Sequence, residues 1–378
     1  MTERRWTVVQ LLPAMDAGGA ERSTVEIGRA LVAAGHRSVV ISAGGRLVDQ
    51  LCAEGSEHLA LPIAHKSLRT LAQVGALRRE LTRLQPDLLH LRSRLPAWLA
   101  RFALRGRALP TVSTVHGLNS VGYYSAIVTR ADRVIAVSQT SADYLRSHYP
   151  ALPEERLRVI SRGVQATDFP VGFSADDQWR ARFFAEFPRL AGGGLLTLPG
   201  RGTRLKGHVH ALTLLAALRQ RGMDVRLLLL GADQPGRERY LAELGAQATA
   251  LGVGEYWQAT VSRADVREVY AISDLILQLS DHPESFGRTV AEALHQGRPV
   301  LGWDLGGVGE QLRACFAPGA VPLGDHAALA DRAAELLDHP QPDKIRREAI
   351  PTVETMQRAT LAVYAELLGN PQATVIAS

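Results

Sequence analysis

This sequence predicts an α/β protein of two domains, each a parallel sheet covered on both faces by helices. Three observations carry that reading. Short apolar runs alternate with helix-spaced stretches along most of the 378 residues. One stretch, residues 163–175, breaks the rhythm with Gly, Pro and Asp and then lets it restart. The length suffices for two full cores. The first domain is therefore drawn over residues 1–168 and the second over 172–352.

The elements follow in order. Residues 6–12 are apolar and run into a Gly-rich loop, so they form the first strand. Residues 20–34 place Val25, Ile27, Leu31 and Val32 at helical spacing, and Gly35 ends that helix. Strands follow at 38–42, 88–91, 111–114 and 134–137, the last leading to a helix over 140–149. In the second domain, strand 195–199 precedes a helix near 209–221, and strand 225–230 precedes a helix reaching residue 250. Strands 275–279 and 300–303 flank a helix over 287–295. Met356, Thr360, Val363, Tyr364 and Leu367 share one face of a late helix, 354–368. Lying beyond Pro351, it is expected to cross back onto the first domain, and residues 369–378 are expected to fray.

Hydrophobic residues make up 46% and charged residues 21%, as in soluble globular proteins. No run approaches the ~20 apolar residues of a membrane span. Residues 8–14 read as a strand and its loop, not a signal peptide, because Gln10 and Pro13 interrupt them. Cys52 and Cys315 lie far apart in apolar sequence, which favours two buried thiols and a reducing, cytoplasmic compartment. The net charge of +5 is uneven: residues 1–168 carry 22 Lys and Arg against 14 Asp and Glu, the remainder 21 against 24. The basic half prefers an anionic partner, such as a phosphorylated acceptor or the anionic inner face of a membrane. A nucleic acid is disfavoured, since aromatics are only 6% and no basic stripe carries aromatic platforms.

Three strand-end loops concentrate the chemistry, where ligands of open α/β sheets bind. Gly18-Gly19-Ala20-Glu21-Arg22 lets a ligand approach a helix start, but lacks the third glycine of a dinucleotide fingerprint. Pro199 to His208 holds Arg201 and Lys206, two cations able to clamp a diphosphate. Its extra Arg204 either adds a phosphate contact or faces water. Residues 283–310 set Glu284 before a helix and Glu292 inside it. Along a helix, eight positions correspond to roughly 12 Å, too far to share a proton but suited to two ends of one elongated ligand. The amides of Ser285, Phe286 and Gly287 stand at that helix start, an anion seat, and the glycines of 304–310 could close around the same ligand. No Asp-x-Asp pair sits at a strand end, which suits a metal-independent enzyme with no cofactor.

Taken together, these residues resemble the retaining, nucleotide-sugar-dependent glycosyltransferases of family 4. The elements stand in family order: Gly18-Gly19-Ala20-Glu21-Arg22, Thr114-Val115-His116-Gly117, Ala136-Val137-Ser138, the Gly200-Arg201…Lys206-Gly207 loop, and Glu284 with Glu292. The resemblance implies the GT-B fold, two Rossmann-like domains facing each other across a cleft, the first on the acceptor side and the second binding the nucleotide-sugar. It implies that Arg201 and Lys206 hold the donor diphosphate, that Glu292 accepts from the ribose hydroxyls, and that Glu284 lies by the transferred sugar. Phe286 and Gly287, with Gly18 and Gly19 across the cleft, complete the donor cradle, and His116 faces the reacting sugar. The implied mechanism is front-face transfer, in which the leaving oxygen takes the acceptor's proton.

On the acceptor side, the string from Arg92 to Trp98 is similar to that of bacterial enzymes building lipopolysaccharide core and related surface glycans. Arg92 and Arg94 suit an anionic glycan or glycolipid acceptor, and Asn119 adds a polar contact. The expected enzyme is cytoplasmic and peripheral on the inner membrane, with a UDP- or GDP-linked sugar as substrate. The alternatives are a transferase acting on exopolysaccharide or a soluble acceptor, and a nucleotide-sugar epimerase on the same fold.

Overall fold

The computed structural model describes residues 4–16 and 18–369. Of the tail expected to fray, residues 370–378 lie outside the described residues. The chain divides into two compact units, between Arg162 and Gly163 and between Thr352 and Val353. The first division falls ahead of residue 168 because Val164 already belongs to the second unit. Its N–H donates to Pro351 O at 3.0 Å, and it bridges Thr352 in parallel.

The first unit holds a seven-stranded parallel sheet: β1 (Thr7–Leu11), β2 (Arg37–Ser42), β3 (Glu57–Ala60), β4 (Leu88–Leu91), β5 (Thr111–Val115), β6 (Arg133–Ala136) and β7 (Leu157–Val159), in the order β3-β2-β1-β4-β5-β6-β7. Its helices are α1 (Gly19–Ala33), α2 (Val48–Ala53), α3 (Leu68–Leu84), α4 (Arg94–Ala103) and α5 (Gln139–His148). The sheet is buried on both faces, so its strands read as nearly continuous apolar runs. Alternation still sorts them. Val8, Leu88, Val112 and Ile135 pack with α1 and the final helix. Val9, Leu89, Leu91 and Val115 face the layer of α3 and α4.

The second unit carries α6 (Asp177–Glu186), α7 (His208–Gln220), α8 (Glu238–Ala250), α9 (Val266–Ile272), α10 (Arg288–Gln296), α11 (Gly306–Cys315) and α12 (His326–Asp338). Its six parallel strands are β8 (Gly194–Pro199), β9 (Val225–Leu230), β10 (Trp257–Thr260), β11 (Leu275–Gln278), β12 (Val300–Trp303) and β13 (Ala320–Val321), in the order β10-β9-β8-β11-β12-β13. The last helix, α13 (Val353–Leu368), belongs to the first unit, where Val353, Met356, Val363 and Tyr364 are buried.

Both sheets reverse their strand order once, between β1 and β4 and between β8 and β11. At such a reversal the neighbouring connections leave in opposite directions and open a crevice at the strand ends. No described helix is long and apolar enough to cross a membrane. One expectation about the thiols is corrected: Cys315 is buried, but Cys52 is exposed. In short α2 the buried position is Leu51, and the next residue, about 100° round the helix, turns outward.

Candidate functional site

The reversal point of the second unit gathers the acids and cations of two loops. The loop after β8 folds into a turn at Arg204–Lys206 and enters α7 through Gly207. Gly207 has φ +71°, and a Cβ there would lie 1.7 Å from Leu279 O. Only glycine lets this loop press against the end of β11. That contact brings Lys206 to Glu284: Nζ lies 2.6 Å from Oε1, with both side chains about one-fifth exposed. Ser280 donates to the same oxygen at 2.5 Å. Arg201 is exposed and forms no ion pair among the described residues. Arg204 turns away instead: it pairs with Glu243 of α8, and its guanidinium carbon lies 5.2 Å from the Tyr240 ring centre. This resolves the choice left by the sequence, since Arg204 is spent on a neighbouring helix.

The segment from Glu284 to Gly287 is braced from behind by α11. Gly307 N–H donates to Glu284 O at 2.7 Å. A Cβ on Gly307 would come within 2.6 Å of Phe286 Cα, so the two loops touch backbone to backbone. Gln311 donates through its side-chain amide to Phe286 O, and to Gly287 O at 3.1 Å. Gly287, at φ +84°, caps α10, which begins one residue later than expected. Ser285 is half-buried and Phe286 is buried. Glu292 is only 6% exposed. It is therefore not an ordinary surface acid of a helix, the commoner fate of a glutamate.

A third contact pins this region. His210 of α7 pairs with Asp281, three residues beyond the end of β11, and the His210 ring packs near those of Trp303 and His326 at 5.7 and 5.0 Å between centres. Ser280, Asp281, His210 and Gln311 were not picked out from the sequence. Each is a single polar residue without a motif, and only the fold brings them to Glu284 and its loop.

The reversal point of the first unit holds a cavity of about 200 Å³, lined among others by Glu21, Arg92, Arg94, His116, Gly117 and Asn119. Gly18 and Gly19 open α1 nearby in the chain, and the space a Cβ would occupy at Gly19 is empty. Arg94 is half-buried and donates to Ser125 Oγ at 3.0 Å; its guanidinium carbon lies 5.5 Å from the Tyr124 ring centre. Asn119 Nδ2 donates to Gly117 O at 3.2 Å, and Tyr144 Oη donates to Asn119 O. His116 is half-buried at the end of β5.

Arg92 departs from the expectation of a free guanidinium. It is 3% exposed, its Nε donates to Gln10 Oε1 at 3.0 Å, and a second nitrogen bonds the same oxygen. Burial pushes its pKa down to about 10. The reason is strand alternation: Gln10, His90, Arg92 and Thr114 all point to the face covered by α1 and α13. There His90 Nδ1 lies 2.5 Å from Tyr364 Oη and its Nε2 lies 2.7 Å from Thr114 Oγ1. Burial holds His90 well below the ordinary histidine range, with Arg92 and Arg162 adding to the effect, so the ring is neutral and donates from one nitrogen only. Arg92 thus shapes the cavity floor and is not an extended arm. A glutamine and a histidine inside apolar strands were the available signal for this network.

Among the described residues, no group of three His, Cys, Asp or Glu side chains could hold a metal ion.

Two family models match the chain: Glycosyltransferase Family 4 over residues 17–168, and Glycosyl transferases group 1 over residues 183–352. Between them they span most of its length, and the chain belongs to these glycosyltransferases, with the GT-B fold of two Rossmann-like units. Three relatives make the likeness concrete. A glycosyltransferase of Rickettsia africae is 25% identical, with a TM-score of 0.85 over 97% of this chain and 100% of that one. D-inositol 3-phosphate glycosyltransferase 1 of Catenulispora acidiphila is 27% identical over 277 residues, 67% of this chain and 64% of that protein. The phosphatidyl-myo-inositol mannosyltransferase of Mycobacterium leprae is 27% identical over 297 residues, 77% of this chain and 74% of that protein. The aligned part thus falls short of two thirds of the length of the Catenulispora relative, and reaches only 39% of a second inositol phosphate glycosyltransferase.

Proposed function

We propose that this chain transfers a sugar from a UDP- or GDP-linked donor to a hydroxyl of an anionic glycan or glycolipid, with retention at the anomeric carbon. One observation carries the reading: the Lys206–Glu284 ion pair at the β8/β11 reversal, beside an Arg201 with no counter-ion among the described residues. A lone exposed guanidinium and an ion pair that water still reaches are a poor use of charge for stability. They are a good use of it for a dianionic ligand. A donor diphosphate would draw Lys206 from the carboxylate and take Arg201 as a second cation. Glu284, released from its lysine, would then face the sugar and stabilise positive charge at the anomeric carbon. Glu292 would accept from the ribose hydroxyls, and the amides of Ser285, Phe286 and Gly287 would add donors to the same anion.

In the transfer, the bond from the anomeric carbon to the acceptor oxygen forms as the bond to the phosphate oxygen breaks. The acceptor's proton passes to that departing oxygen on the same face of the sugar, and the configuration is kept. Arg201 and Lys206 neutralise the leaving charge, the work a metal ion does in other transferases.

The acceptor belongs to the cavity of the first unit, where Arg94, His116 and Asn119 offer a cation and polar contacts for a sugar or polyol bearing an anionic group. Two relatives are named for inositol phosphate and phosphatidylinositol, which combine a phosphate with a ring of hydroxyls. A lipid-linked surface glycan such as lipopolysaccharide core has the same combination.

Calorimetry with UDP and GDP tests the donor site directly. One nucleotide should bind, and Glu292→Gln should weaken it by about tenfold, the loss of one charge-assisted hydrogen bond. Absence of binding by both nucleotides would overturn the reading. Incubation with nucleotide-sugars alone, followed by NMR, should leave the sugar unisomerised; an epimer appearing without acceptor would identify an epimerase.

A further inference from the structure

An acid, Glu21, lines the cavity of the first unit and has no part in the transfer described above. Leu11 and Leu91 end β1 and β4 side by side in the sheet. From there the chain enters α1 on one face of the sheet and α4 on the other: Ile27 and Leu31 pack in one core, Ala97 and Leu99 in the opposite one. Glu21, in the first turn of α1, and Arg94, the first residue of α4, therefore reach the same cavity of about 200 Å³ from opposite walls. Neither forms an ion pair among the described residues.

Arg94 is steadied by Ser125 and by the Tyr124 ring. Glu21 is half-buried, yet its carboxylate accepts no hydrogen bond among the described residues. It folds back over the start of its own helix: a Cβ at Gly18 would lie 3.3 Å from Glu21 Cδ and would collide with Oε2. The amino end of α1 favours negative charge at that place. Two consequences follow from the placement. This helix start already carries an anion, so a phosphate entering the cavity is repelled from the Glu21 wall and drawn to Arg94. A carboxylate partly withdrawn from water, with its lone pairs unused, also gains by meeting hydrogen-bond donors.

We propose that Glu21 selects the acceptor: it accepts hydrogen bonds from two neighbouring hydroxyls of the acceptor ring, while Arg94 holds the anionic group at the opposite wall. The acceptor unit is then a ring with its negative charge at one end and free hydroxyls at the other. Two adjacent hydroxyls match the two oxygens of one carboxylate. A ring charged at both ends is turned away by Glu21, so selection works by repulsion as well as by attraction. This rests on the proposed transfer reaction, because it names which end of the acceptor each wall of that cavity takes.

The test is ligand-observed NMR titration of the full chain, with and without UDP, using myo-inositol 1-phosphate, myo-inositol 1,4-bisphosphate and cyclohexyl phosphate. Wild type should bind the first about tenfold or more tightly than either of the others, the worth of a charge-assisted hydrogen bond. Glu21→Ala should lose roughly tenfold to a hundredfold for myo-inositol 1-phosphate. It should bind cyclohexyl phosphate as wild type does, because that ring offers the carboxylate no hydroxyl. Glu21→Gln, uncharged but still able to accept, should fall between the two and should bind the bisphosphate better than wild type. Melting curves establish that each variant is folded, and Glu21→Gln, which keeps the side-chain shape, carries the test should Glu21→Ala unfold. Wild type binding none of the three, no preference for the hydroxylated monophosphate, or an equal loss for all three in Glu21→Ala would each overturn the proposal. Each of these results leaves nucleotide binding untouched, so the donor site can stand while this proposal falls; a chain that binds neither UDP nor GDP sinks the transfer reaction instead.

Discussion

The two sheets reverse strand order at matching places, yet the charges there are used in opposite ways. In the first unit, Arg92 is sealed under the cavity, its guanidinium on Gln10 and its pKa pushed down to about 10 by burial. In the second, Arg201 is exposed without a counter-ion among the described residues, and Lys206 is held by one carboxylate that is about one-fifth exposed. A buried cation with fixed neutral partners sets geometry. An exposed cation, or one in a pair that can open, is available to a ligand. Two arginines at strand ends of the same kind of sheet can therefore have different jobs, and burial separates them where residue type does not.

The largest effect should come from breaking that contrast in the second unit. Arg201→Ala and Lys206→Ala should each lower kcat by about 10²–10³, the usual cost of removing one preorganised charge from a developing anion. Arg201→Ala should barely move the melting temperature, because Arg201 forms no ion pair among the described residues, and Lys206→Ala should lower it only modestly, because Ser280 still donates to the Glu284 carboxylate. Arg92→Ala should behave in the reverse manner: it leaves Gln10 unsatisfied inside the sheet and should cost about 3 kcal/mol of stability. Turnover and thermal melts of the three variants side by side decide the matter. An Arg92→Ala protein as stable as wild type, or an Arg201→Ala protein with full turnover, would dissolve the distinction.

Histidine titration sharpens the comparison, because each unit buries one histidine near its reversal point. His208, the first residue of α7, is pushed down to about 4 by burial and then by Lys206; His90 is also held well below the ordinary range. In the unfolded chain both rings titrate near 6.5. Above that pH both states are neutral and the folded protein keeps its full stability. Between 6.5 and about 4 the unfolded chain binds protons that the folded chain refuses, so stability falls as pH drops. His208 alone should account for ~3 kcal/mol across that window. Urea unfolding of wild type and His208→Asn at several pH values measures it. Parallel pH profiles for the two proteins would contradict the assignment.

Much of this was legible in the sequence, for physical reasons that differ by element. Strands such as β4 and β9 are mostly apolar because both faces of a parallel sheet are buried, and the helices between them show their periodicity. The edge strands β3, β7, β10 and β13 were missed: each has one side unpaired, β3 and β10 are half polar, and β7 and β13 span only three and two residues. The loop after β8 was read for its cations alone; that Gly207 lets it press against Leu279 O is seen only in the fold. Side-chain commitment was not legible. Arg204 and Arg92 look like ligand-binding residues until Glu243 and Gln10, 39 and 82 positions away, are seen to hold them. Cys52 was misread because a short helix offers too little pattern to tell its inner from its outer face.

The smallest effect tests how the two buried histidines are held. His90 has both ring nitrogens engaged, by Tyr364 at 2.5 Å and Thr114 at 2.7 Å, whereas His208 meets Tyr240 at 3.2 Å and has no partner for Nε2 among the described residues. Tyr364 is itself fully buried, and burial raises its pKa, so its hydroxyl stays protonated and able to bond the ring. Tyr364→Phe should therefore cost about 1–2 kcal/mol, a lost bond plus an unsatisfied buried nitrogen, while Tyr240→Phe should cost less than about 1 kcal/mol. Neither should alter kcat. Because Tyr364 lies on α13, 274 positions from His90, the larger cost would also measure how firmly the returning helix is fastened to the first sheet. Equal costs in denaturant titrations would mean that the His90 network adds nothing beyond ordinary packing.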